Sequence, residues 1–269
     1  MGVRGIRAAA TCVFAAVAAI GAAAPGAARA GDPRVEEPGG PRAYQDAPLS
    51  GRAEIPVDLE LVLAADGSGS IDDEELKFQR HGYAEALAHP RVLAAIRSGF
   101  HKAIAVAYIE WGAPQSQHVI ADWAVIRDEA SAKAFGKTLI DSPRAAFGYN
   151  SISNAIAFSA NLIETNTYKG TRRVIDLSGD GPQIGGRPLE EVRRETVAQG
   201  IAINALVIET PAGSLRGPGG IPLAEHYERD VIGGAGAFVA VARERSRFPE
   251  TILKKLVLEI AASFDTANP

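Results

Sequence analysis

Residues 57–70, VDLELVLAADGSGS, begin as an alternating strand, become fully apolar and end in a small, oxygen-rich loop. The apolar part favours a strand that is buried on both faces of a sheet. Strands of this kind are typical of parallel sheets that carry helices on both sides. The stretch therefore predicts an α/β fold, with a loop of aspartate, serine and glycine at the carboxyl end of its first strand.

Strand and helix patterns alternate along the rest of the chain. We expect further strands at 104–111, 117–125, 173–178, 201–208 and 236–241. Helical patterns cover 71–98, 129–140, 153–164, 189–199, 223–231 and 247–264, and 210–222 is rich in glycine and proline and predicts a loop. The turn Gly112-Ala113-Pro114 indicates an antiparallel hairpin. The predicted fold is a doubly wound, mostly parallel sheet with one antiparallel edge strand and helices on both faces.

The first thirty residues have the pattern of a secretory signal peptide. Arg4 and Arg7 precede an Ala/Val/Ile/Phe run, and Ala28-Arg29-Ala30 supplies the small residues of a cleavage site. The run is too short and too rich in alanine for a membrane span, so we expect cleavage after Ala30 and no span in the mature chain. This predicts a periplasmic or secreted protein.

Cleavage would leave 239 residues with a net charge of −7, because three arginines and no acidic residues are lost. The mature chain would contain no cysteine, since Cys12 lies in the leader. An acidic balance argues against a nucleic-acid partner. Residues 31–54, rich in proline, glycine and charge, predict a flexible leader, and 55–265 predict a single domain.

Three loops with small oxygen-bearing side chains follow strands or precede a helix. They are Asp66-Gly67-Ser68-Gly69-Ser70, the segment 148–153 containing Asn150 and Ser151, and the segment 178–181 containing Asp180. Ligands of such sheets bind beyond the carboxyl ends of the strands. Carboxylate and hydroxyl oxygens suit Mg²⁺, with Mn²⁺ or Ca²⁺ as alternative ions. As an alternative to metal binding, these loops could be only turns and helix caps. Asp176, within a predicted strand, could equally support the metal ligands or be a buried polar residue with its own hydrogen bonds.

The Asp66-x-Ser68-x-Ser70 pattern resembles the metal-ion-dependent adhesion site (MIDAS) of the von Willebrand factor A (VWFA) domain family. Asp180 is similar to the distal aspartate of that family, and the tail segment 229–239 resembles an uncharacterised bacterial exported subgroup. The family usually has a threonine in the second loop, where this chain has Asn150 followed by Ser151. Either residue would take the threonine's place.

The resemblance implies a protein-binding module. Its metal would keep one open coordination position for an Asp or Glu carboxylate of a partner protein. The residues themselves leave two alternatives, a metal-free structural interaction domain and a metal-assisted phosphohydrolase. The second is disfavoured because Gly-x-Ser-x-Gly, a Walker A motif and an assigned general base are all missing from the sequence. We therefore expect a protein that is not an enzyme.

Overall fold

The structure is a computed structural model that describes residues 54–209 and 215–261. Within these residues, six strands form one sheet in the order β3-β2-β1-β4-β5-β6. The strands are β1 (Ile55–Asp66), β2 (Ile104–Trp111), β3 (Gln117–Ile126), β4 (Tyr168–Gly179), β5 (Ala202–Ile208) and β6 (Val239–Ala242). β3 runs antiparallel to β2, and the other neighbouring pairs are parallel. The predicted fold class is confirmed.

Helices cover both faces of the sheet. In the described part of the chain they are α1 (Asp73–Ala88), α2 (Pro90–Ser98), α3 (Glu129–Asp141), α4 (Ile152–Glu164), α5 (Leu189–Ala198), α6 (Leu223–His226) and α7 (Phe248–Ala261). Leu59, Leu61 and Leu63 of β1 pack into a core with α1, α2, α3 and α7. Val62 and Ala64 pack on the other face with α4 and α5. Both faces of β1 are thus covered, which is why its sequence is apolar without interruption.

The predicted helix over 71–98 is wrong as a single element, because it is two helices separated at His89. Pro90 has no N–H to donate, and its ring disfavours a helical backbone at the preceding residue. His89 accordingly has extended angles (φ −69°, ψ 138°), and Pro90 opens α2. The first helix also begins later than predicted, at Asp73. Asp72 caps it by accepting the backbone N–H groups of Glu74 and Glu75.

Other differences lie at element ends. The predicted short helix at 223–231 is α6 followed by a π-helix at Tyr227–Val231. β4 begins five residues earlier than predicted and β6 begins at Val239. Of the predicted loop at 210–222, residues 210–214 lie outside the described residues, and Pro218–Gly220 form one 3-10 turn. α7 is described as far as Ala261.

A contact with α7 explains why the charged side chain of Asp176 in β4 can be buried. Its Oδ1 lies 2.6 Å from Nζ of Lys255, and both side chains are buried. Lys255 also pairs with Glu259, which accepts a hydrogen bond from Nδ2 of Asn204 at 2.9 Å. This buried charge cluster fixes α7 to the centre of the sheet. Asp176 is therefore a partnered buried residue.

The predicted signal peptide, and the predicted leader as far as residue 53, lie outside the described residues. None of the helices within 54–209 and 215–261 is long and apolar enough to cross a membrane.

Candidate metal centre

The strand order places the site between β1 and β4. The chain leaves β1 towards β2 on one side and later returns to β4 on the other, so the two strands flank the topological switch point. Ligands of open α/β sheets bind in the crevice at such a point. Asp66 is the last residue of β1, and Asp180 follows the last residue of β4. Both side chains are buried.

The first loop connects the two carboxylates through its serine hydroxyls. Oδ1 of Asp66 accepts the backbone N–H of Ser68 at 2.8 Å. The hydroxyls of Ser68 and Ser70 lie 3.0 Å apart, and the Ser70 hydroxyl donates to Oδ1 of Asp180 at 2.9 Å. The backbone N–H of Asp180 approaches Oδ2 of Asp66 at 3.4 Å. All four residues predicted from the first and third loops are therefore brought together.

In the second loop the structure brings Asn150 to the site and turns Ser151 away. Nδ2 of Asn150 donates to Oδ2 of Asp66 at 2.8 Å. The hydroxyl of Ser151 lies instead 3.2 Å from Oδ1 of Asn154 and 3.3 Å from the carbonyl of Gly185. Ser151 occupies the N-cap position of α4, but its side chain makes no capping hydrogen bond.

Two glycines allow the loops to approach this closely. A Cβ on Gly67 would lie 2.9 Å from Cβ of Ala146. A Cβ on Gly181 would lie 3.0 to 3.1 Å from the amide atoms of Asn150. A side chain at position 67 would thus force the Ala146 segment away from the first loop, and one at position 181 would displace the Asn150 amide from Asp66.

The burial of Asp66 and its repulsion by Asp180 dominate the electrostatics of the site. Loss of hydration, reinforced by the negative charge of Asp180, raises the pKa of Asp66 to about 7. Its hydrogen bonds to Ser68 and Asp180 only partly oppose this rise. Among the described residues, neither carboxylate forms an ion pair with a basic side chain; their partners are hydroxyl, amide and backbone groups. The site thus holds two acidic groups and no compensating cation of its own.

The donor set is that of a hard cation. Carboxylates, hydroxyls and an amide meet here, whereas no group of three or more His, Cys, Asp or Glu side chains able to hold a metal occurs within 54–209 and 215–261. Zinc sites of the usual kind are built from such groups. The residues present therefore fit Mg²⁺ or a similar ion with oxygen and water ligands better than a closed zinc site.

Arg144 supports the first loop from outside and was not found by sequence reasoning. Its Nη2 lies within hydrogen-bond distance of the carbonyls of Gly67 (2.9 Å), Ser68 (2.9 Å) and Ile71 (2.7 Å). Its Nη1 lies 3.0 Å from Oδ1 of Asp73. The guanidinium thus fixes the path of the loop through its backbone. An isolated arginine in a proline-containing loop carries no sequence pattern that would reveal this role.

Tyr227 supports the third loop. Its buried hydroxyl donates to the carbonyl of Gly181 at 2.9 Å. Burial, with the nearby charges of Asp66 and Asp180, raises the pKa of Tyr227 well above its usual range. The phenol therefore stays protonated and keeps its donor role.

A family model described as Protein of unknown function (DUF1194) matches residues 56–264. The chain belongs to this family. Comparison with curated proteins finds no significant match.

Solved structures show the fold that the resemblance implied. Proximal thread matrix protein 1 from the mussel byssus, in a structure with a zinc-occupied MIDAS motif, is 16% identical, with a TM-score of 0.54 over 78% of this chain and 49% of that one. A von Willebrand factor type A structure from Catenulispora acidiphila is 16% identical, with a TM-score of 0.52 over 78% of this chain and 43% of that one.

The vWF domain of the type V pili tip protein Mfa5 from Porphyromonas gingivalis is 9% identical, with a TM-score of 0.53 over 77% of this chain and 96% of that one. The chain spans about half or less of several of the larger structures it matches. The DUF1194 chain thus has a VWFA-like fold, as its sequence predicted.

Proposed function

We propose that this DUF1194 protein is an exported protein-binding module that captures an acidic group of a partner through a divalent cation. The cation would be Mg²⁺, with Mn²⁺ or Ca²⁺ as alternatives. The proposed ligands are Asp66, Ser68, Ser70 and Asp180, with Asn150 rather than Ser151 from the second loop. Asn150 would ligate through its carbonyl Oδ1, which requires its amide to turn, because the Nδ2 that now donates to Asp66 cannot bind a cation. Export rests on the signal-peptide pattern of residues 1–30, and the binding unit is the domain over 55–265.

The proposal is supported above all by the two buried carboxylates, which have no cationic partner within residues 54–209 and 215–261. A buried charge is costly unless it is paired or bound to a metal. Without a cation, Asp66 lowers this cost by holding a proton up to pH about 7. A divalent ion between Asp66 and Asp180 would replace that proton and satisfy both carboxylates. The serine hydroxyls that now bridge the two groups would turn their lone pairs to the ion.

The charges of the proposed ligands also favour the binding of a partner's carboxylate to the ion. Two carboxylates neutralise a divalent ion, and the remaining proposed ligands are uncharged. The ion would therefore retain unfilled coordination positions, taken by water or by an incoming carboxylate. An Asp or Glu side chain of a partner would bind there as a direct ligand.

Calorimetric titration with Mg²⁺ and Mn²⁺ tests the metal site. Asp66→Asn and Asp180→Asn remove one charge each with little change in shape, and the exposed Asp122 of β3 supplies a matched control, Asp122→Asn. We expect one binding event in the wild type and in the control, and none in the other two variants. Equal heats in all four proteins would mean that any metal binds elsewhere and would overturn this site, and no heat in any of them would support a metal-free interaction domain instead.

Two further measurements address export and the alternative activity. Mass spectrometry of the protein recovered from the periplasm should give a mature chain that begins at Gly31. A screen against phosphomonoesters, with and without chelator, should show no turnover. Metal-dependent turnover that is lost in Asp66→Asn would favour a phosphohydrolase.

A further inference from the structure

Three large apolar side chains are exposed on the loops that carry the candidate metal ligands. Phe147 is 57% exposed and Tyr149 is 74% exposed, and both lie just before Asn150. Ile184 is 42% exposed and follows Asp180 by four residues. We call these three residues the apolar rim. Large apolar side chains that stay exposed beside a candidate binding site are candidate contact residues for a partner.

Backbone contacts tie the rim to the site. The N–H of Ile184 donates to the carbonyl of Asn150 at 2.6 Å, so the two loops of the rim meet at a proposed ligand. Between Phe147 and Tyr149, the carbonyl of Gly148 accepts the N–H of Gly69 from the first loop at 2.8 Å. The rim therefore continues directly into the metal centre.

The rim is also held in place before any partner arrives. The N–H of Phe147 donates to the hydroxyl of Ser116 at 3.0 Å, and its carbonyl accepts the N–H of Ala113 at 2.9 Å. Gly112 makes this approach feasible, since a Cβ there would lie 2.2 Å from the Phe147 carbonyl oxygen. Because this backbone is already ordered, binding a partner adds no backbone ordering cost at Phe147, which favours its use as a contact residue.

We propose that the apolar rim selects the partner, by binding a large apolar side chain that lies within two residues of the captured Asp or Glu. The inference rests on the proposed function, because the metal-bound carboxylate places the partner segment over the rim. The acidic group supplies the metal ligand, and the apolar neighbour buries area against Phe147, Tyr149 and Ile184. The partner epitope is thus an extended segment in which an acidic residue has aromatic or branched aliphatic neighbours.

Selection from a phage-displayed heptapeptide library with aspartate fixed at the fourth position tests this inference. A second library with asparagine at that position shows whether the carboxylate is needed. Targets are the mature wild type in Mg²⁺ or EDTA, Phe147→Ser/Tyr149→Ser, and the single variant Tyr149→Ser. Phe100→Ser serves as control, because Phe100 is 89% exposed on the loop before β2, at the amino end of that strand, whereas the candidate site lies at carboxyl ends of strands.

We expect Mg²⁺-dependent selection from the aspartate library alone. Large apolar residues near the aspartate should be enriched about fivefold or more, as expected from burying one or two methylene groups. Selected peptides should bind the double variant about tenfold more weakly, and Phe100→Ser as well as the wild type.

The outcomes separate the two proposals. Aspartate- and Mg²⁺-dependent selection with unchanged flanking residues would overturn the role of the rim and leave the metal-bridged capture standing. The role of the rim is likewise overturned if the double variant selects the same apolar flanks as the wild type. Selection that is absent, or indifferent to Mg²⁺ and to the carboxylate, would overturn both proposals.

Discussion

Replacing Arg144 by methionine should loosen the first metal loop. The change removes the donor that serves the carbonyls of Gly67, Ser68 and Ile71, and also an exposed contact with Asp73. Hydrogen bonds from a charged donor contribute about 1.5–3 kcal/mol each when buried. The Arg144 side chain is 28% exposed, so water can replace part of these bonds.

We therefore expect the free energy of unfolding to fall by about 3 kcal/mol, with the contact to Asp73 contributing little because it is exposed. Urea denaturation followed by circular dichroism measures this loss, and calorimetry should show weaker Mn²⁺ binding at a temperature where the variant remains folded. Arg144→Lys should recover only part of the loss, because an ammonium group cannot reproduce the planar fork of a guanidinium.

Arg187→Met is the matched control. Arg187 forms an exposed ion pair with Glu195 at 2.7 Å, so its replacement should cost at most about 1 kcal/mol. If Arg144→Met costs no more than this control and binds Mn²⁺ as tightly as the wild type, Arg144 does not organise the loop.

Three further predictions concern the site and the charge cluster of α7. Gly181→Ala should push the Asn150 amide away from Asp66 and weaken Mn²⁺ binding measured by calorimetry; unchanged affinity would mean that Asn150 is not a ligand. Mg²⁺ at a hundred times its dissociation constant should stabilise the wild type by about 2.7 kcal/mol, with a matching rise in Tm that Asp66→Asn abolishes. Burial and the charge of Asp176 raise the pKa of Glu259 from 4.5 to about 7. The folded chain therefore holds this proton where the unfolded chain has released it, and stability should fall as pH rises from about 4.5 to 7. In Glu259→Gln, the free energy of unfolding, measured by urea denaturation at each pH, should fall less steeply between pH 4.5 and about 7. An unchanged slope would contradict the raised pKa of Glu259.

The order of elements could be predicted because strand and helix patterns alternate and the central strands are buried along most of their length. β1 and β2 are apolar almost throughout, and the antiparallel position of β3 follows from its short turn. Asp66, Ser68 and Asp180 could be placed at one edge because they end or follow neighbouring parallel strands. These features depend on local pattern and on topology.

Other features depend on contacts between distant segments. Asn150 and Ser151 are adjacent, and which one faces Asp66 is decided where the backbone of Ser151 bonds to Gly112 and that of Asn150 to Ile184. Arg144 acts on the first loop across more than seventy residues of sequence. The break before Pro90, by contrast, is a local feature, because the proline itself disfavours a helical backbone at His89.

The position of a bound metal decides whether Asp66 and Asp180 form a cation site. Crystals of the mature protein grown with MnCl₂ should show an anomalous difference peak between Asp66 and Asp180, at about 2.2 Å from the hydroxyl oxygens of Ser68 and Ser70. The peak should vanish in Asp66→Asn crystals grown in the same way. A peak elsewhere on the molecule, or no peak between Asp66 and Asp180 at saturating Mn²⁺ with the Ser70 hydroxyl still donating to Asp180, would contradict the proposed metal site.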